Sequence, residues 1–213
     1  MTYLQLVNQC LRRLREDEVA SISANEYSQL VGDFVNDAKE IVENAYAWAG
    51  LRQDVDVPTS VGVREYSLSG VPSRARIVDV YNETTNLEMH QKPKPWFRKR
   101  EATASDGSAH YYTFDGLDSN ADIKFKVLPT PDAIETLAFS VVVPQDLLVD
   151  DNTHVLAPNA PILHLAVALL SRERGETGGT SAGELFQIAE KHLKDAIAIE
   201  AARHDEELIY YTV

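Results

Sequence analysis

The chain has 213 residues, of which 44% are hydrophobic and 25% charged; this excludes disorder throughout and collagen-like structure, and a chain of this length buries roughly 70% of its unfolded surface. Twenty basic against thirty-three acidic residues give a net charge of −13. That argues against a protein gripping nucleic acid over most of its surface, but not against one past which DNA slides.

Taken in chain order, Thr2 with Gln5 three positions on has the spacing of a helix cap, and Leu4, Val7, Leu11 and Leu14 follow at helical intervals. They predict a short amphipathic helix stopped by Arg15-Glu16-Asp17-Glu18. Arg12, Arg13 and Arg15 come after the first apolar positions, the reverse of a signal peptide, so retention in a cytosol is expected. Cys10, the single cysteine, has no partner for a disulfide or a structural zinc site. Ser23 with Glu26 reads as a capping box, and Ile22 with Tyr27 as a hydrophobic staple. From there Tyr27, Leu30, Val31, Phe34, Val35, Ala38, Ile41, Val42, Ala45, Tyr46 and Ala49 recur every three or four residues, predicting a helix of about six turns ended by Gly50.

Beyond a polar connector at 54–58 the period becomes two. Ala121, Ile123, Phe125 and Val127 alternate with polar residues, as do Leu137, Phe139, Val141 and Val143 with Thr136, Ala138, Ser140 and Val142. Val61 and Val63 are out of phase with Tyr66 and Leu68, which implies a bulge near Arg64 or Glu65 if all four lie on one strand. Shorter strands are expected at 75–81, 87–90, 97–102 and 110–114. Connections too short for crossover helices predict an antiparallel meander.

After Pro158 and Pro161 the helical period returns with Ile162, Leu165, Ala166, Leu169 and Leu170, ending near Arg174-Gly175 with Arg172 and Arg174 suited to a helix C-terminus. A glycine-containing loop over 175–180 leads to a second capping box, Ser181 with Glu184. A last helix then carries Leu185, Ile188, Ala189, His192, Ala196 and Ile199 on one stripe, widened by Phe186, Leu193 and Ile197. The fold class expected is α+β: a four-helix part made from both chain ends, 1–52 and 158–205, with an inserted antiparallel β domain at 57–148. A C-terminal arm, 206–213, starts within the acidic break Asp205-Glu206-Glu207 and is apolar from Leu208.

Catalytic signatures such as His-Glu-x-x-His, Gly-x-Ser-x-Gly, a Walker loop or a dinucleotide fingerprint do not occur in the sequence. No catalytic residue, cofactor or metal is therefore assigned. The loop Gly175-Glu176-Thr177-Gly178-Gly179 lacks a lysine and follows no strand, so it reads as a helix connection. Glu190 and His192 would need ligands from other elements, and His164 lies on a different helix. Asp150-Asp151-Asn152 lacks the spacing of a calcium loop and reads as a solvated turn.

Two features stand above this background. Lys92, Lys94, Arg98, Lys99 and Arg100 place five of the twenty basic residues within nine positions, interleaved with Pro93, Pro95, Trp96 and Phe97. This cationic and aromatic patch suits a solvated strand face, a protein contact or DNA phosphate. Leu208, Ile209, Tyr210 and Tyr211 are too apolar for a free tail and suit either an interface arm or a segment docked on its own domain.

The run Val35-Asn36-Asp37-Ala38-Lys39, continuing through Val42-Glu43-Asn44-Ala45-Tyr46-Ala47-Trp48 and Leu51-Arg52, resembles the head-to-tail adaptor proteins of tailed bacteriophages (connector, head-completion and tail-tubular-A-like proteins). So do Leu169-Leu170-Ser171-Arg172-Glu173-Arg174-Gly175-Glu176 and Ala189-Glu190-Lys191-His192-Leu193. The likeness covers the helical arms, about half the chain, and the inserted β block suits the family's plan of helices plus a tail-facing β domain. It implies a non-enzymatic virion protein assembled in the host cytoplasm, with no cofactor and no membrane contact. Its helical part would form a homo-oligomeric ring, about twelve copies in that family, at the head-tail junction. The ring would meet the portal protein above and a tail tube or nozzle protein below, and would pass double-stranded DNA without binding it specifically. On this reading Leu208, Ile209, Tyr210 and Tyr211 form the portal interface, and Lys94, Trp96, Phe97, Arg98, Lys99 and Arg100 contact the tail or another partner. The rival readings are a sheet-based nucleic-acid binder using the 92–100 patch and a carboxylate-dependent hydrolase.

Overall fold

The computed structural model describes residues 1–175 and 180–203, less the side chains of 180–182. The expectations placed on Glu176, Thr177, Gly178, Gly179, the Ser181 side chain, Asp205, Glu206, Glu207, Leu208, Ile209, Tyr210 and Tyr211 lie outside what is described. The fold is α+β, and its contacts divide the chain into two compact units. One holds Met1–Leu51 and the described chain from Pro144 onward; the other is Arg52–Val143.

In the first unit, helix α1 (Tyr3–Arg13) starts as its sequence dictates. The Gln5 N–H donates to Thr2 Oγ1 (3.3 Å) and the Thr2 N–H to Gln5 Oε1 (3.0 Å), satisfying two of the donors a helix start leaves open. Helix α2 (Glu26–Ala45) is capped differently from expectation. Its box is Asn25 with Ser28, not Ser23 with Glu26: Ser28 N–H reaches Asn25 Oδ1 at 2.7 Å and Asn25 N–H reaches Ser28 Oγ at 3.2 Å. The reason is burial. Ile22 packs inward on a 3₁₀ turn, Ile22–Ala24, which uses up Ser23, and the fully buried Ser28 hydroxyl finds its acceptor at Ile22 O, 2.7 Å away.

Helix α2 also stops one turn before Gly50. Tyr46 turns to an extended conformation, and Trp48, 1% exposed, folds back so that its indole N–H caps Val42 O at 2.7 Å. Gly50 serves a different purpose from helix termination: a Cβ there would lie 2.7 Å from the Leu156 carbonyl oxygen, so only glycine lets the two backbones approach.

Helix α2 buries two adjoining stripes. Val31, Val35, Ala38 and Val42 form the apolar one, and Ser28, Asn36, Lys39 and Glu43 are buried beside them, while Leu30 and Ile41 are exposed. Two later helices belong here: one at Asn159–Glu173, and one at Thr180–Ala201. The Asn159–Glu173 helix is apolar on most of its circumference and packs against α1, α2 and Thr180–Ala201. That makes it the centre of this unit.

The second unit is built from two sheets rather than a meander. Its strands are β1 (Arg52–Pro58), β2 (Glu65–Pro72), β3 (Arg76–Asn82), β4 (Leu87–Glu88), β5 (His90–Gln91), β6 (Tyr111–Leu117), β7 (Asp122–Leu128) and β8 (Thr136–Val142). One sheet runs β1-β8-β3-β4 and the other β2-β7-β6-β5; every pair is antiparallel except β5 with β6. Consecutive strands β1 and β2 thus lie in different sheets. Val61 and Val63 sit on the exposed turn between them, and the irregularity in β2 comes later, between Ser67 and Pro72. Burying both inner faces decides this arrangement: Phe125 of β7 meets Phe139 of β8 at 4.7 Å between ring centres, and Leu68, Val80, Leu137 and Val141 close around them. Trimming Phe139 to leucine should cost about 1–2 kcal/mol of unfolding free energy through the void left beside Phe125. Urea unfolding followed by fluorescence checks it.

The segment expected as a strand at 97–102 is instead helix α3 (Lys94–Glu101). Pro95 sits in its first turn, where the missing N–H costs nothing, and Lys, Arg and Glu are good helix formers. With this label placed, the two long C-terminal helices are α4 (Asn159–Glu173) and α5 (Thr180–Ala201).

Candidate interaction surface

The cationic patch resolves into residues with different tasks. Phe97, 4% exposed, roots α3 in its unit and is not open to a partner. Trp96 is half-buried and rests on Tyr111 of β6, with ring centres 4.9 Å apart. Arg100 lies over the Trp96 ring at 4.3 Å, and Lys92 over Tyr111 at 5.5 Å, so these two cations brace the aromatic pair. Lys94 Nζ pairs with Asp115 at 2.6 Å, and Lys126 joins the same carboxylate at 3.2 Å. The Lys94 bond, ahead of the Lys126 bond, holds the Asp115 carboxyl below the ordinary aspartate range. Arg98 and Lys99 remain, both exposed and without an ion pair among the described residues. Five sequence neighbours therefore leave two cations for recognition.

A second surface left no clear mark in the sequence. Residues 144–149 carry no long periodicity, yet they are fastened to α2 by its buried polar stripe. The Asn36 side-chain amide donates to Leu148 O (3.1 Å) and accepts from Leu148 N–H (2.9 Å), as the backbone of a neighbouring strand would. Lys39 Nζ, 2% exposed at its side chain, donates to Gln145 O (2.6 Å) and Asp146 O (3.1 Å) and pairs with Glu43 at 3.3 Å. Leu148 is 3% exposed, whereas Leu147 is 67% and Val149 79% exposed. This alternation gives a strip tied to α2 whose outer face is apolar, flanked by Asp146 and Asp150. The signal that could have revealed it is the spacing of Asn36, Lys39 and Glu43, which places three polar side chains on one helix face.

The remaining candidates settle into structural tasks. Asp151 Oδ1 accepts from Ile22 N–H at 3.1 Å, so the turn at Asp150-Asp151-Asn152 is tied to the 3₁₀ turn ahead of α2. Glu190 pairs with Lys194 at 2.7 Å and not with a histidine. Among the described residues no group of three or more His, Cys, Asp or Glu is placed to hold a metal ion. Burial raises the Cys10 thiol to about 12, leaving it a packing residue at neutral pH. Gly175 takes a positive φ of 66° just past α4, as a helix C-terminus favours. No helix among the described residues is long and apolar enough to cross a membrane.

The structure does bring His164 of α4 and His192 of α5 together, their rings stacked at 3.9 Å and 12°. Burial, then Arg13 of α1 and His192, lower the His164 pKa to about 4. Unfolded histidine titrates near 6.5, so the stability due to neutral His164 is complete above about pH 6.5 and declines as pH falls toward 4. Replacing His164 with glutamine should flatten the thermal midpoint's dependence on pH across that window, measured by calorimetry.

Compared with models of protein families, the chain matches the SU10 adaptor protein over residues 1–207. A search of curated proteins finds no match.

Proposed function

From the premise that this chain belongs to the SU10 adaptor protein family, a family of phage head-to-tail adaptors, we propose that it works without catalysis, as a ring between portal and tail. The ring extends the DNA channel and receives the tail or nozzle. The observation that carries this reading is the extent of the match, which takes in both helical segments and the whole β unit. The charge supports it: a channel wall drawn from a chain of net charge −13 repels phosphate, so DNA leaves without sticking.

Within this reading the arm residues Leu208, Ile209, Tyr210 and Tyr211 dock on the portal, and the exposed cations of α3 serve a protein contact. Copies made alone associate weakly, since a ring formed early would bypass the portal that templates it. Negative-stain imaging of the protein mixed with its cognate portal tests this. The expected result is a ring of added density on one end of the portal, and bare portals beside a stable small dimer would overturn it.

A further inference from the structure

We propose that the strip formed by Asp146, Leu147, Val149 and Asp150 seats the face of α3 that carries Arg98 and Lys99 on the next copy of the chain. This contact rests on the ring reading above and names the surfaces that would join its subunits.

Two copies of a chain carrying −13 repel over most of their surfaces, so self-association needs a local exception. Helix α3 supplies one, and only Arg98 and Lys99 of its cations are neither spent on Asp115 nor engaged with an aromatic ring among the described residues. These two side chains are pure donors and need a surface of acceptors. The strip offers one: Asp146 and Asp150 are exposed with no ion pair among the described residues, and the Leu147 and Val149 carbonyls accept no hydrogen bond from them.

Apolar chemistry matches as well. Leu147 and Val149 are among the most exposed large hydrophobic residues described, and α3 presents Pro95 and the half-buried Trp96 beside its cations. Asn36 and Lys39 already hold the strip in shape, so seating a partner costs little further ordering. The two surfaces differ, which makes the contact head-to-tail, the kind that builds a ring where its rotation closes, and not a two-fold dimer.

Charge reversal tests it on the full-length protein with its cognate portal. Asp146→Lys/Asp150→Lys and Arg98→Glu/Lys99→Glu should each lose the multimer while keeping wild-type circular dichroism and single-copy binding to portal. An equimolar mixture of the two should recover it, because every contact in an alternating ring then joins opposite charges. Asp54→Lys/Asp56→Lys, which reverses two exposed acids elsewhere, should assemble like wild type. Wild-type rings combined with assembly of either reversed variant alone, or with failure of the mixture, would overturn this contact and leave the ring reading standing. Loss of single-copy portal binding by Arg98→Glu/Lys99→Glu would overturn it too, by showing that α3 faces the portal. A wild-type protein that forms no multimer on portal overturns the ring reading itself.

Discussion

Replacing Glu43 with leucine should lower the unfolding free energy by about 3–5 kcal/mol, because the change removes the Glu43 carboxylate from the buried Lys39 ammonium. Lys39 and Glu43 side chains are 2% and 0% exposed, one helical turn apart on α2. Lys39→Met should be equally costly, since it takes the ammonium away from the buried Glu43 carboxylate and removes the donor from Gln145 O and Asp146 O. The double variant Lys39→Met/Glu43→Leu should recover most of the loss, because neither charge is then buried alone. What stays missing is the bond to the two carbonyls. Urea unfolding of all four proteins gives the coupling energy directly, and limited proteolysis should cut at 144–149 faster in both variants that lack Lys39. Single-variant losses below about 1 kcal/mol would place the pair in contact with water, where such pairs are worth that little.

Deleting residues 208–213 should leave the thermal midpoint nearly unchanged and abolish attachment to the portal. The acidic run Asp205-Glu206-Glu207 comes shortly after α5 in the sequence, and negative charge is unfavourable near a helix C-terminus. The apolar residues beyond it would bury several hundred square ångströms on a partner, about 25 cal/mol per Å² before the cost of ordering the arm. Repeated around the proposed ring, this would separate a bound adaptor from a free one. Calorimetry and portal pull-down together decide it: a truncated protein that melts several degrees lower yet still decorates portals would show an ordinary piece of the fold.

Much of the fold was legible because its signals are local. The Thr2-Gln5 cap, the strands β7 and β8 with their two-residue alternation, and the start of α4 after Pro158 all follow from spacing within a few residues. The α+β class follows from the change of period along the chain. Family membership was legible on the helical segments, and the match over residues 1–207 extends it across the β unit. The patch on α3 was visible as composition. Its division into bracing, neutralised and unpaired cations was not, since Asp115 and Tyr111 come from a strand outside the patch.

The sequence by itself therefore determined which segments are helices or strands wherever a period of 3.6 or 2 persists, and the acidic balance that any partner must meet. Tertiary structure alone decided the rest. Asn25 prevailed over Ser23 as the cap because a buried Ser28 hydroxyl had to be satisfied, and Trp48 ended α2 by reaching Val42 O. The sheets separated β1 from β2 because Phe125 and Phe139 can be covered only from two sides. Residues 144–149 have no period of their own, and their shape comes from Asn36 and Lys39, more than a hundred positions earlier in the chain. Burial couples such distant residues because a buried polar group must be paired wherever its partner lies in sequence, and no local pattern records that demand.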